Sequence, residues 1–274
     1  MSTQPAPAHE LGLLVADEPA PYRVENAASE RPVLIVCDHA SNCVPRVLGQ
    51  LGLGLRQFDE HIAWDVGAAQ VARRLAGQLN ARAIFSGYSR LVIDVNRRVD
   101  DVGAIPALSD GILVPGNLGL SRAEREQRIE SLFQPYHEVI ATTLKALSHG
   151  DAVPVLVSIH SFTPFLHGLF RPWDIGVLWD KDPRIPIPLM AALRQHPNLT
   201  VGDNLPYSGV HPADYTVDVH GEAAGLAHVG IEIRQDLIAA EEGQARFASL
   251  LGDALEDILG RAELYQRWAR GESV

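Results

Sequence analysis

Cysteine is scarce in this sequence, which has two, Cys37 and Cys43, among its 274 residues. Two thiols give neither the disulfide framework of a small secreted domain nor, by themselves, a structural zinc site. The chain also lacks a basic, apolar leader segment and any apolar run near the roughly 20 residues of a membrane-spanning helix. We therefore expect a cytoplasmic protein with reduced thiols and no membrane partner.

Positive charge is the second deficit. Lys and Arg number 23 against 34 Asp and Glu, so the formal net charge is -11. Without a broad basic surface to attract phosphates, we expect no nucleic-acid partner. Hydrophobic residues make up 46% of the chain and charged residues 21%, which is typical of a globular protein with a core.

Short apolar runs alternate with segments of helical periodicity. They predict strands at 32–37, 82–85, 91–95, 153–159, 175–179 and 229–233, and helices at 59–79, 121–147, 187–195 and 241–268. This alternation favours an α/β fold, a single three-layer domain whose mostly parallel central sheet has helices on both faces. We place this domain at residues 31–274, after an irregular arm over residues 1–30.

Titratable side chains lie at or near the carboxyl ends of three of the predicted strands. His39 follows the first strand, His160 follows the strand 153–159, and Glu232 lies inside the last strand. The carboxyl ends of parallel strands share one edge of a sheet, so these side chains can converge in one crevice. Two imidazoles and one oxygen ligand form a common catalytic zinc set, although a single histidine is more often structural.

Three segments occur in the same order as similar segments of the zinc carboxypeptidases of the carboxypeptidase A type. They are DVNR at 94–97, SIHS at 158–161 and IEIR at 231–234. The resemblance implies a zinc carboxypeptidase or phosphorylase-hydrolase-like fold, with His160 as a zinc ligand and Glu232 activating the water. It also implies that Asn96 and Arg97 hold a carboxylate of the substrate.

More of the chain resembles the N-formylglutamate amidohydrolase family. The segments are VCDHASN at 36–42, HIAWD at 61–65, YSR at 88–90, DVNR at 94–97, SIHS at 158–161, NLPYSG at 204–209, HGE at 220–222 and EIRQDL at 232–237. The resemblance implies hydrolysis of a small acidic N-acyl amino acid, with N-formyl-L-glutamate giving formate and L-glutamate as the reference reaction. We also expect one Zn²⁺ per chain.

The third metal ligand stays open. The carboxypeptidases have His-x-x-Glu, whereas His39 is followed at that spacing by Asn42, whose amide oxygen is a poorer ligand. His61 and Asp65 are the other candidates, since their spacing of four residues puts them on one face of the predicted helix 59–79. They rank equally, ahead of Asn42, and Asp65 has the alternative role of orienting a ligand imidazole.

Arginines are suitable partners for an acidic substrate. The guanidinium groups of Arg90 and Arg97 match the two carboxylates of glutamate. Arg171 and Tyr207 are further candidates for substrate binding, Tyr207 in a Pro-Tyr-Ser-Gly turn suited to a lid. His220 is a second catalytic candidate, as a proton donor or as a stabiliser of the tetrahedral intermediate.

Other functions compete with this interpretation. An amidohydrolase or carboxypeptidase acting on another acidic amide would use the same residues. A non-catalytic homologue would keep the arginines for an acidic ligand without turnover. A serine or cysteine hydrolase is disfavoured, because the sequence has no Gly-x-Ser-x-Gly motif and Cys37 lies inside a predicted buried strand.

Overall fold

The computed structural model describes residues 12–212 and 214–268. Its strands are β1 (Tyr22–Glu25), β2 (Val33–Cys37), β3 (Arg82–Ser86), β4 (Leu108–Ser109), β5 (Ile112–Leu113), β6 (Val155–Phe162), β7 (Phe165–Leu166), β8 (Leu169–Phe170), β9 (Ile175–Leu178), β10 (Val201–Asp203) and β11 (His228–Arg234). Its α-helices are α1 (Ala68–Gln78), α2 (Arg122–Arg128), α3 (Gln134–Leu147), α4 (Pro186–Leu193), α5 (Tyr215–Val217) and α6 (Glu241–Leu259).

Seven strands form one sheet in the order β1-β3-β2-β6-β11-β9-β10. The four central strands β3, β2, β6 and β11 are parallel, while β1 and β9 run antiparallel to their neighbours β3 and β11. The prediction of a mostly parallel α/β sheet is confirmed. Because β2, β6 and β11 run in the same direction, their carboxyl ends meet at one edge of the sheet.

Helices cover both faces of this sheet, which explains why the sequence of β2 is apolar throughout. Its side chains at Val33, Ile35 and Cys37 pack in the core that includes α1 and α6. Those at Leu34 and Val36 pack in the core that includes α3. Successive side chains of a strand point to opposite faces, so a strand covered on both sides needs apolar residues at every position.

β1 lies in the segment for which the sequence predicted irregular structure. It pairs with β3 at the edge of the sheet. Tyr22 and Val24 pack against the core, while Glu25 forms an ion pair with Arg73 of α1. The prediction was wrong for these residues, because an alternation over four residues is too short to stand out; residues 1–11 of the predicted arm lie outside the described residues.

The helix predicted for residues 59–79 begins only at Ala68. Gly67, directly before it, has a positive φ of 82°. A Cβ atom at this position would collide with the carbonyl oxygen of Ile238, so the close approach of these two segments of the chain requires glycine. This left-handed turn separates α1 from the irregular segment that precedes it.

Residues 91–95 were predicted as a strand and instead form a buried loop. The Nδ2 atom of Asn117 donates to the Leu91 carbonyl oxygen over 2.8 Å, and Nη1 of Arg128 donates to the Val92 carbonyl oxygen over 2.9 Å. These side chains satisfy backbone groups that a neighbouring strand would otherwise satisfy. The apolar run therefore predicted the burial of these residues correctly, but the strand predicted for them was wrong.

Two long helices were predicted with partial success. The predicted helix 121–147 is capped by Ser121 and continues from α2 to α3 through a π-helical turn at Ile129–Phe133. The predicted helix 241–268 ends at Leu259, directly before a glycine. Across the described ranges, no helix combines the length and the apolar surface needed to cross a membrane.

Candidate metal centre and active site

Three parallel strands position the titratable residues predicted from their ends. His39 lies just beyond β2, and Glu232 in β11 is paired in register with His160 in β6. Paired residues on adjacent strands point to the same face of a sheet. All three residues line one cavity of about 530 Å³ at the carboxyl edge of the sheet.

His39, Asp65 and His160 form a buried group at this cavity. Their potential ligand atoms all lie within 4.8 Å of one another. Asp65 Oδ2 is 3.3 Å from His39 Nδ1 and 2.8 Å from His160 Nδ1. Two imidazole nitrogens and one carboxylate oxygen are the donors of many catalytic zinc sites, so the group is consistent with a metal site.

Backbone hydrogen bonds hold Asp65 between the two histidines. Residues 60–66 form turns and bends, and the Asp65 amide donates to the His39 carbonyl oxygen over 2.9 Å. The Ser161 amide in β6 donates to Asp65 Oδ2 over 3.2 Å. Of the three candidates for the third ligand, Asp65 is the one that lies with His39 and His160.

The other two candidates have different partners. His61 Nε2 lies 3.0 Å from Asp110 Oδ2, and His61 lines a neighbouring cavity of about 460 Å³. The Asn42 amide nitrogen donates to the Phe58 carbonyl oxygen over 2.8 Å. The prediction that His61 and Asp65 share a helix face was wrong, because the helix begins after both of them.

Asp94 contacts His39 on the side away from Asp65. Its Oδ1 atom is 2.7 Å from His39 Nε2, and its Oδ2 atom accepts a hydrogen bond from Arg90 Nη2 over 2.8 Å. A proton on Nε2 bonded to Asp94 leaves the lone pair of Nδ1 for a metal ion. Asp94 belongs to the DVNR segment, and nothing in the sequence around it predicts this contact with His39.

The buried histidines and carboxylates shift one another's pKa. Burial opposes ionisation of Asp65, but the imidazoles of His39 and His160 outweigh it and lower the pKa of this carboxyl. Burial likewise opposes the His160 cation, but hydrogen bonds to Asp38 and Asp65 raise the pKa of its imidazole well above its usual range. A metal ion must therefore compete with protons for this site.

Glu232 faces the same cavity and is poorly solvated. It is 7% exposed, and its Oε2 atom has no hydrogen-bond partner within residues 12–212 and 214–268. Burial raises the pKa of Glu232 to about 7, although the charge of His160 opposes the shift. A buried carboxyl group that titrates near neutrality is suited to accept and return a proton.

Arg90 and Arg97 both line the cavity but differ in their existing contacts. Arg90 is bonded to Asp94 and lies 3.5 Å from Asp65 Oδ1. Arg97 reaches Asp94 and Asp101 only at 3.5 and 3.6 Å, and its side chain is 47% exposed. The Arg97 guanidinium can therefore take a ligand carboxylate, whereas the charge of Arg90 is fixed beside the histidine group.

Asn96 and Tyr207 also line the cavity. Asn96 Oδ1 accepts from the Thr216 amide over 2.9 Å, and the Tyr207 hydroxyl accepts from Arg171 Nη1 over 2.7 Å. Because Tyr207 accepts this bond, its own hydroxyl proton is available to a ligand. Arg171, predicted to bind substrate, is not among the residues that line the cavity and contacts it through Tyr207.

His220 lies in a π-helical turn and does not line the cavity. Its Nε2 atom is 3.0 Å from His137 Nδ1, while His137 Nε2 is 2.7 Å from the carbonyl oxygen of Val95. Burial lowers the pKa of His220 to about 4, so the imidazole is neutral at physiological pH. The structure thus places His220 in a buried histidine pair that supports the loop before Asn96.

Asp214 also lines the cavity, although it was not among the site residues predicted from the sequence. It precedes α5, and its Oδ1 atom accepts from the amide of Val217, the last residue of that short helix. Its Oδ2 atom lies 3.7 Å from His160 Nε2, and burial raises its pKa. An aspartate before a helical segment is typical of an N-cap, so the sequence pattern gave no sign of the nearby site.

A family model described as N-formylglutamate amidohydrolase matches residues 31–239 of the chain. The N-formylglutamate deformylase of Pseudomonas putida is 31% identical over an alignment of 105 residues, which covers 35% of this chain and 39% of that protein. The match thus spans about two fifths of the length of this curated relative.

Two solved structures resemble the fold. A gene product of Agrobacterium tumefaciens is 39% identical with a TM-score of 0.82, over 90% of this chain and 99% of that chain. The N-formylglutamate amidohydrolase from Ralstonia eutropha is 21% identical with a TM-score of 0.66, over 88% of this chain and 98% of that chain. At this lower identity, the second likeness establishes a shared fold.

Proposed function

Because the chain belongs to the N-formylglutamate amidohydrolase family, we propose that it hydrolyses the amide bond of a small acidic N-acyl amino acid. The proposed substrate is N-formyl-L-glutamate, which would give formate and L-glutamate. The observation that carries this proposal is the buried group of His39, Asp65 and His160 in one cavity with the poorly solvated carboxyl group of Glu232.

The donor atoms of this group fit a divalent metal ion, and we propose zinc because two of the three donors are imidazoles. His39 and His160 would bind it through Nδ1, and Asp65 through its carboxylate. When bound, zinc would polarise the acyl carbonyl and lower the pKa of a coordinated water towards about 7. The Glu232 oxygen that lacks a hydrogen-bond partner in the described residues also suits a site completed by water.

Glu232 would carry the proton through the reaction. It would accept a proton from the attacking water while the water oxygen forms a bond to the acyl carbon. As the bond between the acyl carbon and nitrogen breaks, Glu232 would give this proton to the leaving amine. The water attacks directly, so the reaction needs no serine or cysteine nucleophile.

The arginines would bind the substrate and stabilise developing charge. Arg97, next to Asn96, would hold a substrate carboxylate with its guanidinium group. Arg90, fixed beside the histidine group by Asp94, would stabilise the negative charge that develops on the acyl oxygen. The Tyr207 hydroxyl would donate a further hydrogen bond, so that the scissile amide is held in place.

Arg97→Gln is expected to raise KM and to lower kcat/KM by about 10- to 100-fold, because a hydrogen bond to a charged group contributes about 1.5–3 kcal/mol. The matched control is Arg98→Gln, since Arg98 is exposed and paired with Asp100 outside this cavity. Initial rates of formate release from N-formyl-L-glutamate measure both variants. Equal effects of the two substitutions would contradict the assignment of Arg97.

The acid limb of the kcat/KM profile is expected between pH 4.5 and 7. Activity requires ionised Glu232, so the rate falls as the pH drops through its pKa. Burial raises this pKa from 4.5 to about 7 in the metal-free protein, and a nearby cation lowers it again. The measurement is formate release against pH, with metal content determined at each pH; a limb outside this window at constant metal content contradicts the role of Glu232.

A longer amide substrate is the second candidate. The neighbouring cavity of about 460 Å³ shares Arg90, Asp94 and Arg97 with the first, so the two are adjacent. Cavities of this size accept ligands larger than a formylated amino acid. A higher kcat/KM for longer N-acyl glutamates than for N-formyl-L-glutamate would favour this candidate.

A further inference from the structure

Asp38 is a buried carboxylate that lies between His160 and several hydroxyl groups. It is 1% exposed and directly precedes His39 at the end of β2. Its Oδ1 atom accepts hydrogen bonds from the Tyr136 hydroxyl and the Thr216 hydroxyl, each over 2.8 Å. Its Oδ2 atom lies 3.2 Å from His160 Nε2. Within the described residues, His160 is the ion-pair partner of Asp38.

The two ring nitrogens of His160 face different carboxylates. Nδ1 is directed to Asp65 and the metal-ligand group, at 2.8 Å from Asp65 Oδ2. Nε2 lies on the other side of the ring, 3.2 Å from Asp38 Oδ2. A neutral imidazole carries one proton, and only the nitrogen without it can bind a metal ion. A proton on Nε2, bonded to Asp38, therefore leaves Nδ1 available to the metal.

Two other groups near His160 Nε2 are weaker candidates for this role. Ser158 Oγ lies 3.0 Å from Nε2, but it is uncharged and itself donates towards Asp38 over 3.4 Å. Asp214 Oδ2 lies 3.7 Å away, beyond hydrogen-bond distance. When Asp65 is occupied as a metal ligand, Asp38 is the charged acceptor nearest to Nε2, and a charged acceptor forms the stronger bond with an imidazole N–H.

The surroundings of Asp38 also restrict its rotation. Tyr136 belongs to α3 and Thr216 to α5, and both are 0% exposed. Turning the carboxylate away from His160 would break these two hydrogen bonds in a place that water does not reach, at considerable cost. The two helices therefore hold the Asp38 carboxylate beside His160 Nε2.

We propose that Asp38 is a positioning residue, which keeps the proton of His160 on Nε2 and the ring oriented so that Nδ1 binds the metal ion. This inference rests on the metal centre of the proposed function, and it adds a requirement outside the ligands themselves. Outer carboxylates of this kind raise metal affinity by orienting the ligand ring and strengthening it as a base.

The test compares Asp38→Asn with Asp182→Asn in the full-length protein. The asparagine side chain would retain the shape of the aspartate but lose its charge. Asp182 is a matched control, because it is 2% exposed and pairs with Arg184 outside the cavity. Competition with a chromogenic chelator gives the zinc dissociation constant, which should rise by about 10- to 100-fold in Asp38→Asn and remain unchanged in Asp182→Asn.

A second readout uses the wild-type protein and so does not depend on the folding of a variant. Nitrogen-15 NMR of the zinc-loaded protein should show the His160 proton on Nε2 and zinc on Nδ1. A proton on Nδ1, or an unchanged zinc dissociation constant in a folded Asp38→Asn protein, would overturn the role of Asp38. If wild type binds zinc and releases formate in that case, the proposed function stands; if wild type binds no zinc, both proposals fail.

Discussion

Glu232→Gln should lower kcat for N-formyl-L-glutamate by about 10²- to 10⁴-fold without changing the zinc content. Glutamine has nearly the same shape as glutamate, but its amide cannot accept the proton of the attacking water. Glu232 lies in the strand beside His160 and is not a member of the buried metal-ligand group. Binding of metal and substrate should therefore persist while proton transfer is lost.

Glu222→Gln is the matched control for this substitution. Glu222 is 9% exposed and, like Glu232, has an Oε2 atom without a hydrogen-bond partner in the described part of the chain. It does not line the cavity. Steady-state formate release and metal analysis of both variants give the comparison. A Glu232→Gln protein with nearly full activity would show that another group, or none, accepts the proton.

Asp65→Ala should lose tightly bound zinc and, with it, activity. Asp65 is the anionic member of the ligand group and lies within 3.3 Å of both His39 Nδ1 and His160 Nδ1. Loss of a residue that only orients a ligand weakens metal binding by about 10- to 100-fold. Removal of the ligand Asp65 itself should weaken zinc binding by more than this. Metal analysis after dialysis and a chelator titration measure this effect.

His61→Ala separates the two third-ligand candidates that the sequence ranked equally. His61 is 3.0 Å from Asp110 and is not a member of the buried group. Its substitution should leave the zinc dissociation constant unchanged, and circular dichroism verifies that both variants are folded. Loss of zinc in His61→Ala but not in Asp65→Ala would reverse the assignment of the third ligand.

The strands that carry the site were predictable from the sequence. Residues 32–37 form a continuous apolar run, and residues 153–159 and 229–233 are apolar apart from Ser158 and Glu232, which is what parallel strands covered on both faces require. The ends of these runs pointed to His39, His160 and Glu232, and the structure places all three at one cavity. Strand burial is a local pattern, so a single sequence can reveal it.

Contacts made by loops were not predictable in the same way. Asp65 was selected from a supposed helix face, whereas a backbone bond to His39 and the turn at Gly67 position it. Asp94 lies in a loop held by Arg128, and Asp214 resembles an ordinary helix cap. Each depends on partners far away in the chain, which periodicity and spacing do not identify.

The most direct test of the account is the zinc content of the purified protein, combined with formate release from N-formyl-L-glutamate before chelation, after chelation and after zinc is returned. The account predicts about one zinc ion per chain, activity lost on chelation and activity restored by zinc. Metal without formate release would retain the metal centre and reject the substrate. Formate release that persists in a metal-free protein would contradict the central claim.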